Sequence, residues 1–264
     1  MRLRKRLRYW LYGRCPGFAG SFPYYGARVH FPKGSMGFRE ACLQSTFEAS
    51  NVRLLQHLVK PHTTYFDVGA NIGLMAVPVL HACPSCAVVS FDPSPNSLPY
   101  LQRTVAGSRF KDRWTVVPRA LSDAPGRAEF CVASTALSMF DGLRDTHRVS
   151  VARSVTVEVS TLDAEWERLG RPPVSVVKCD VEGNELAILD GAASLLAHDR
   201  PYVLTEWYEG NLQAYGRHPD DILGFCSRAG YRLFAVPHFI EVHSDTELRL
   251  HMTEEDTFLL APAK

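Results

Sequence analysis

The 264-residue sequence has no uninterrupted run of about 18 apolar residues. Its longest candidate, 72–91, is broken by Pro78, His81 and Pro84, so a spanning helix is not expected there. No secretory leader with an apolar core is expected, and no second CxxC accompanies Cys83-Pro-Ser-Cys86 at zinc-binding spacing. The seven cysteines are odd in number and irregular in spacing. Reduced thiols and a cytoplasmic location are therefore expected. There is no internal repeat, and 46% hydrophobic with 22% charged residues excludes wholesale disorder or coiled coil. Acids are absent from the first 14 residues, which hold Arg2, Arg4, Lys5, Arg6, Arg8 and Arg14. The remainder carries 23 basic against 28 acidic residues, a net charge of −5. With no basic-aromatic face, such a body is a poor polyanion binder, and nucleic acid is not expected as a partner. In the basic arm Leu3, Leu7, Trp10 and Leu11 fall at helical spacing. The arm is read as a solvated terminus, with peripheral contact of residues 1–14 to an anionic membrane as the alternative.

What is present is alternation. Short apolar runs at 64–68, 87–91, 114–117, 174–179, 202–206, 231–236 and 257–261 read as strands, with a half-exposed strand at 155–159. Helical patterns lie between them, at 73–81, 95–106, 183–197 and 220–229, and one precedes them at 40–59. Pro78 must bend its helix or be accommodated. Residues 15–38 suggest an irregular or hairpin lead-in. This pattern predicts an α/β fold, a mostly parallel sheet with helices on both faces. Residues 1–60 form the arm, lead-in and first helix, and residues 61–264 the α/β domain.

In such sheets ligands sit beyond the carboxyl ends of the strands. Four of those ends carry acids: Asp67, Asp92, Asp180 with Glu182, and Glu206. The turn after the first strand departs from the dinucleotide fingerprint, because Asn71 and Leu74 stand where glycines are required. An acid at 67 repels a pyrophosphate but suits a ligand with an ammonium and a sulfonium, the charge pattern of S-adenosylmethionine. Gly69 and Gly73 suit a tight turn and a close approach of backbone to ligand. Asp92, about 20 residues beyond that turn, suits ribose hydroxyls.

Five segments occur in order: Tyr-Phe-Asp-Val-Gly-Ala-Asn-Ile-Gly at 65–73, Ser-Phe-Asp-Pro-Ser-Pro at 90–95, Ala-Leu-Ser-Asp at 120–123, Thr-Leu-Asp at 161–163, and Val-Lys-Cys-Asp-Val-Glu-Gly-Asn-Glu-Leu-Ala-Ile-Leu-Asp-Gly-Ala at 177–192. Together they resemble the FkbM-type methyltransferases, a branch of the class I group that uses S-adenosylmethionine. The resemblance implies a Rossmann-like, seven-stranded class I sandwich, with Asp67, Gly69 and Asn71 on the methionine end of the cofactor and Gly73 shaping the turn. It places Asp92 on the ribose, Ala120 and Leu121 by the adenine, Ser122 or Asp123 near its amino group, and Asp180 and Glu182 facing the transferred methyl.

The expected activity is O-methyl transfer to a hydroxyl of a small molecule, a glycan or a secondary metabolite. A hydroxyl must lose its proton as it attacks, which assigns base catalysis to Asp180 or Glu182. Glu182 and Glu185 also suit a helix start, and Lys178 suits either an ion pair with an acid or a strand edge. No metal is expected, although Glu206 with Asp180 is the pair that would hold one. His147 is read as a surface histidine or an alternative base, and Trp207 and Tyr208 as packing residues or a sugar platform. Two other readings stand beside this one: an NAD-dependent oxidoreductase on a similar sheet, and an inactive methyltransferase-like interaction domain.

Overall fold

Runs of Val, Phe and Tyr without polar alternation must be covered on both faces, and such runs make the centre of this fold. The computed structural model describes residues 2–263. Strands β1 (Ser21–Tyr24) and β2 (Ala27–His30) form an antiparallel hairpin. Next come β3 (Thr64–Val68), β4 (Ala87–Phe91) and β5 (Trp114–Val117). The chain then leaves the main sheet for a small one of β6 (Ala120–Leu121), β7 (Gly126–Val132) and β8 (Arg153–Ser160), in the order β6-β8-β7. It returns with β9 (Val174–Cys179), β10 (Tyr202–Glu206), β11 (Tyr231–Ala235), β12 (Ile240–Val242) and β13 (Thr257–Pro262).

The main sheet has eight strands in the order β12-β11-β13-β10-β9-β3-β4-β5. Strands β5, β4, β3, β9 and β10 pair in parallel, and β13 runs antiparallel between β10 and β11. The seven expected strands are thus present. The eighth, β12, folds back from β11 as a three-residue antiparallel edge, too short to stand out in the sequence. Side-chain alternation on β3 divides the core. Tyr65 joins the cluster with Phe22, Phe38 and Leu55, whereas Phe66 and Val68 join the opposite one with Trp166 and Leu195. The elements before β3 therefore roof one face of the sheet.

Several helices differ from expectation. The pattern at 40–59 is two helices, Met36–Gln44 and Ala49–Leu58, separated where Ser45 and Glu48 take positive φ. The pattern at 183–197 is also two, Glu185–Asp190 and Ala193–Asp199. The break falls at Gly191, where a Cβ would lie 2.3 Å from the Ser122 carbonyl oxygen. The helix expected at 73–81 begins at Ala76, which puts Pro78 in its first turn, where no intrahelical donor is missed. The basic arm is not a frayed terminus. It is a helix, Arg2–Arg14, with Tyr9 stacked on Phe38 at 5.5 Å between ring centroids.

Candidate active site

From β3 the chain builds β4 and β5 on one side, then crosses to β9 and β10 on the other. The strand order therefore reverses between β3 and β9, and the loops that follow these strands meet there. Gly69 has φ +75°, and a Cβ on it would lie 1.8 Å from the Asp180 carbonyl oxygen. The two loops touch backbone to backbone, which only glycine permits.

A cavity of about 310 Å³ is lined at this junction by Gly69, Asn71, Asp92, Ala120, Leu121, Asp180 and Glu182 of the expected residues. Asp67, Gly73 and Ser122 are not on its wall. Gly73 closes the turn against the Trp114 ring. Ser122 packs its backbone on Gly191 and donates from Oγ to Asp123 Oδ1 at 3.1 Å. Asp67 is the main departure. It is fully buried opposite Lys178 in the β3–β9 register, with Nζ 3.8 Å from its Oδ1. Tyr65 donates to the same oxygen at 3.1 Å, and Oδ2 has no partner among the described residues. The carboxylate expected at the mouth is therefore part of the floor, turned into a lysine. Burial raises its pKa, and Lys178 opposes that rise.

The wall remains acidic without Asp67. Seven carboxylates and three cations line it. Asp92 accepts from Asn71 N at 2.6 Å, Ser94 N at 2.8 Å and Ser97 Oγ at 2.7 Å. Three of its roughly four acceptor positions are thus filled, leaving one for a ligand hydroxyl. Residues 94–97 wrap this carboxylate, which is why the next helix begins at Leu98 and not at 95. Burial raises Asp92 to about 6. Ala120 and Leu121, with Phe130 beside them, give an apolar stretch of wall.

On the β9–β10 side Asp180, Glu182 and Glu206 each bring a carboxylate oxygen within 4.8 Å of the others. Their charge is offset by two cations. Lys178 Nζ lies 3.1 Å from Asp180 and donates to Gly69 O at 3.0 Å. Lys178 is buried, not at a strand edge, and although burial works against its charge, Asp180, Asp67 and Glu48 hold it as ammonium. Arg148 lies 2.9 Å from Glu182 and 3.8 Å from Glu206, with its guanidinium about 5 Å from the rings of Phe140 and Tyr208. Glu182 has φ +63°, a strained conformation for a residue with a side chain. Burial pushes it up to about 8, aided by Asp180 and Glu185 and opposed by Arg148. Glu206 is raised well above the carboxylate range by burial and then by Asp180. Glu185 lies behind the loop and accepts from the N–H groups of Val181 (2.9 Å) and Gly183 (3.1 Å), which makes it the brace of that turn.

His147 is 86% exposed and pairs with Asp145, so it is a surface residue. Trp207 is buried with Nε1 donating to Pro219 O at 2.8 Å, which makes it core; Tyr208 is exposed beside Arg148. Arg148 and Asp141 are the site residues that sequence reasoning missed. Asp141 accepts from Ser94 Oγ at 2.5 Å and Ala133 N at 2.7 Å, pinning the 133–141 segment to the Asp92 loop. Both lie in the irregular stretch before β8, where no periodicity marks them.

The family model of the methyltransferase FkbM domain matches residues 67–233. A hexuronic acid methyltransferase, AglP, of Haloferax volcanii is 31% identical over 170 residues, which are 62% of this chain and 63% of that protein. A methyltransferase FkbM from Methylobacillus flagellatus is similar in structure at 14% identity and TM-score 0.47, over 84% of this chain and 52% of that one. A precorrin-6y C5,15-methyltransferase from Geobacter metallireducens is similar at 10% identity and TM-score 0.46, over 83% and 89%.

Proposed function

The chain belongs to the FkbM methyltransferase family, and from that premise we propose that it moves a methyl group from S-adenosylmethionine to a hydroxyl of a glycan or a secondary metabolite. The observation that carries this reading is the acid-rich cavity wall, seven carboxyl groups against three cations among the described residues, which suits a ligand whose sulfonium and ammonium outweigh its one carboxylate. When bound, S-adenosylmethionine supplies the methyl group on a positive sulfur.

The residues present fit that ligand. Gly69 and Asn71 would hold its methionine end, the one open acceptor position of Asp92 its ribose, and Ala120 and Leu121 its adenine. Glu182 serves as the base that takes the acceptor's hydroxyl proton, because burial places its pKa near neutral pH, where a base is most effective. Asp180, paired with Lys178 at 3.1 Å, would line the reacting centre beside it.

The acceptor favoured here is uncharged. A hexuronic acid, the substrate in the relative's name, would bring to this wall a carboxylate with no positive charge of its own to offset it. Each lining cation is already engaged: Arg119 with Glu158 and Glu165, Arg148 with Glu182 and Glu206, and Lys178 with Asp180 and Asp67.

Calorimetry with S-adenosylmethionine, its demethylated product and NADH tests the cofactor. Labelled cofactor with neutral glycosides and hexuronates, followed by mass spectrometry, tests the acceptor. Heat with the first two ligands and label on a neutral glycoside are expected. Heat with NADH alone would establish the oxidoreductase. Cofactor binding without label on any hydroxyl compound would leave the inactive domain, and transfer to hexuronates alone would overturn the acceptor class.

A further inference from the structure

At about 100° per residue, Leu3, Leu7 and Trp10 of the N-terminal helix fall within about 60° of one another. They are 81%, 60% and 50% exposed. Tyr9 and Tyr12 lie on the other side of the helix and pack on the core, so the helix is fastened by one face and presents an apolar stripe on the opposite one. Large apolar side chains scattered singly over a surface need no explanation, whereas three in line on a docked helix form an unpartnered face. Arg4 and Arg6 are exposed and flank the stripe. The first 39 residues carry nine Lys or Arg and no acid, although the whole chain has a net charge of only +1.

We propose that this face lies flat on an anionic lipid surface, with Leu3, Leu7 and Trp10 between the headgroups and the arginines on their phosphates. The charge selects this occupant over a second copy of the chain, since pairing two such helices would bring like charges together. No helix among the described residues is long and apolar enough to cross a membrane, so the contact lies along the surface. One helix links this face to the cavity. In Met36–Gln44, Phe38 meets the arm while Met36, Gly37 and Glu40 line the cavity wall.

Vesicles of phosphatidylcholine alone, and of phosphatidylcholine mixed with phosphatidylglycerol, test the proposal on the full chain. Trp114, Trp166 and Trp207 are at most 2% exposed, so a change in tryptophan emission on adding vesicles reports Trp10. The expected result is a blue shift and co-sedimentation with the mixed vesicles only, both weakened by salt. Leu3→Glu with Leu7→Glu should reduce binding at least about tenfold, the cost of removing two apolar anchors and adding two like-signed charges to an anionic surface. Arg4→Gln with Arg6→Gln, which keeps the stripe, should weaken binding about fivefold per charge removed. Both variants should keep the wild-type melting temperature. Wild-type protein that ignores mixed vesicles, or binds neutral ones equally well, overturns the proposal. A dimer that Leu3→Glu with Leu7→Glu dissociates, without vesicle binding, assigns the face to a second copy instead.

Discussion

On the β4 side of the cavity Asp92 is buried, yet it receives three hydrogen bonds from its own loop and rises only to about 6. On the β9–β10 side Asp180, Glu182 and Glu206 crowd within 4.8 Å, share Lys178 and Arg148, and include a residue at positive φ with a pKa pushed up to about 8. Both walls bury carboxylates. One satisfies its acid with fixed donors, as a binding surface does. The other leaves like charges in conflict, as a proton-transferring surface does. Under the proposed function, this contrast would separate holding a ligand from acting on it.

The largest effect should come from Glu182→Gln. Turnover should fall by about 10²–10⁴-fold, the contribution of a general base, while calorimetry finds the cofactor bound as in the wild type. Equal loss of binding and turnover would erase the difference between the walls. Asp92→Ala should do the reverse, weakening cofactor affinity by roughly 10–100-fold, as expected for losing hydrogen bonds to a charged acceptor, with turnover at saturating cofactor much less affected.

The pH dependence sharpens the comparison further. Turnover that needs ionised Glu182 should rise with pH toward about 8. Arg148→Gln removes the cation that opposes the shift, so the profile should move to higher pH, with activity at pH 7 lower by about tenfold for each unit moved. An unmoved profile would place the base elsewhere, Asp180 being the next candidate.

The smallest effect concerns stability. Glu182 holds its proton more tightly folded than unfolded, so its stabilising contribution is complete below its ordinary pKa of 4.5 and is lost as pH rises through about 8. At pH 9 the ligand-free Glu182→Gln variant should therefore melt higher than the wild type, by roughly 2–4 °C if about 1 kcal/mol is recovered. Differential scanning calorimetry across this pH range provides the check.

The strands of the main sheet were legible because both faces are buried and the runs are short and apolar; β3 is buried at all five positions. The acids at the strand ends were legible because topology puts loops there. The breaks at 45–48 and at Gly191 were not, since the second depends on the Ser122 carbonyl, distant in sequence. Nor was the direction of Asp67. Nothing near it in the chain announces that Lys178 is its neighbour across the β3–β9 pairing. The acid-rich wall survives this correction because Asp180, Glu182 and Glu206 line the cavity in its place. Arg148 belongs to a stretch with neither period nor motif, and only the closed fold brings it to Glu182.

The backbone contact between Gly69 and Asp180 leaves no adjustable thickness at the base of the cavity. Variation in what this scaffold accepts is thereby pushed to the rim, where the segment from 133 to 148 and the helix Met36–Gln44 contribute side chains. An engineer seeking a new acceptor would vary Met36, Glu40 and Met139 there, and leave Asp141, Arg148 and the base alone.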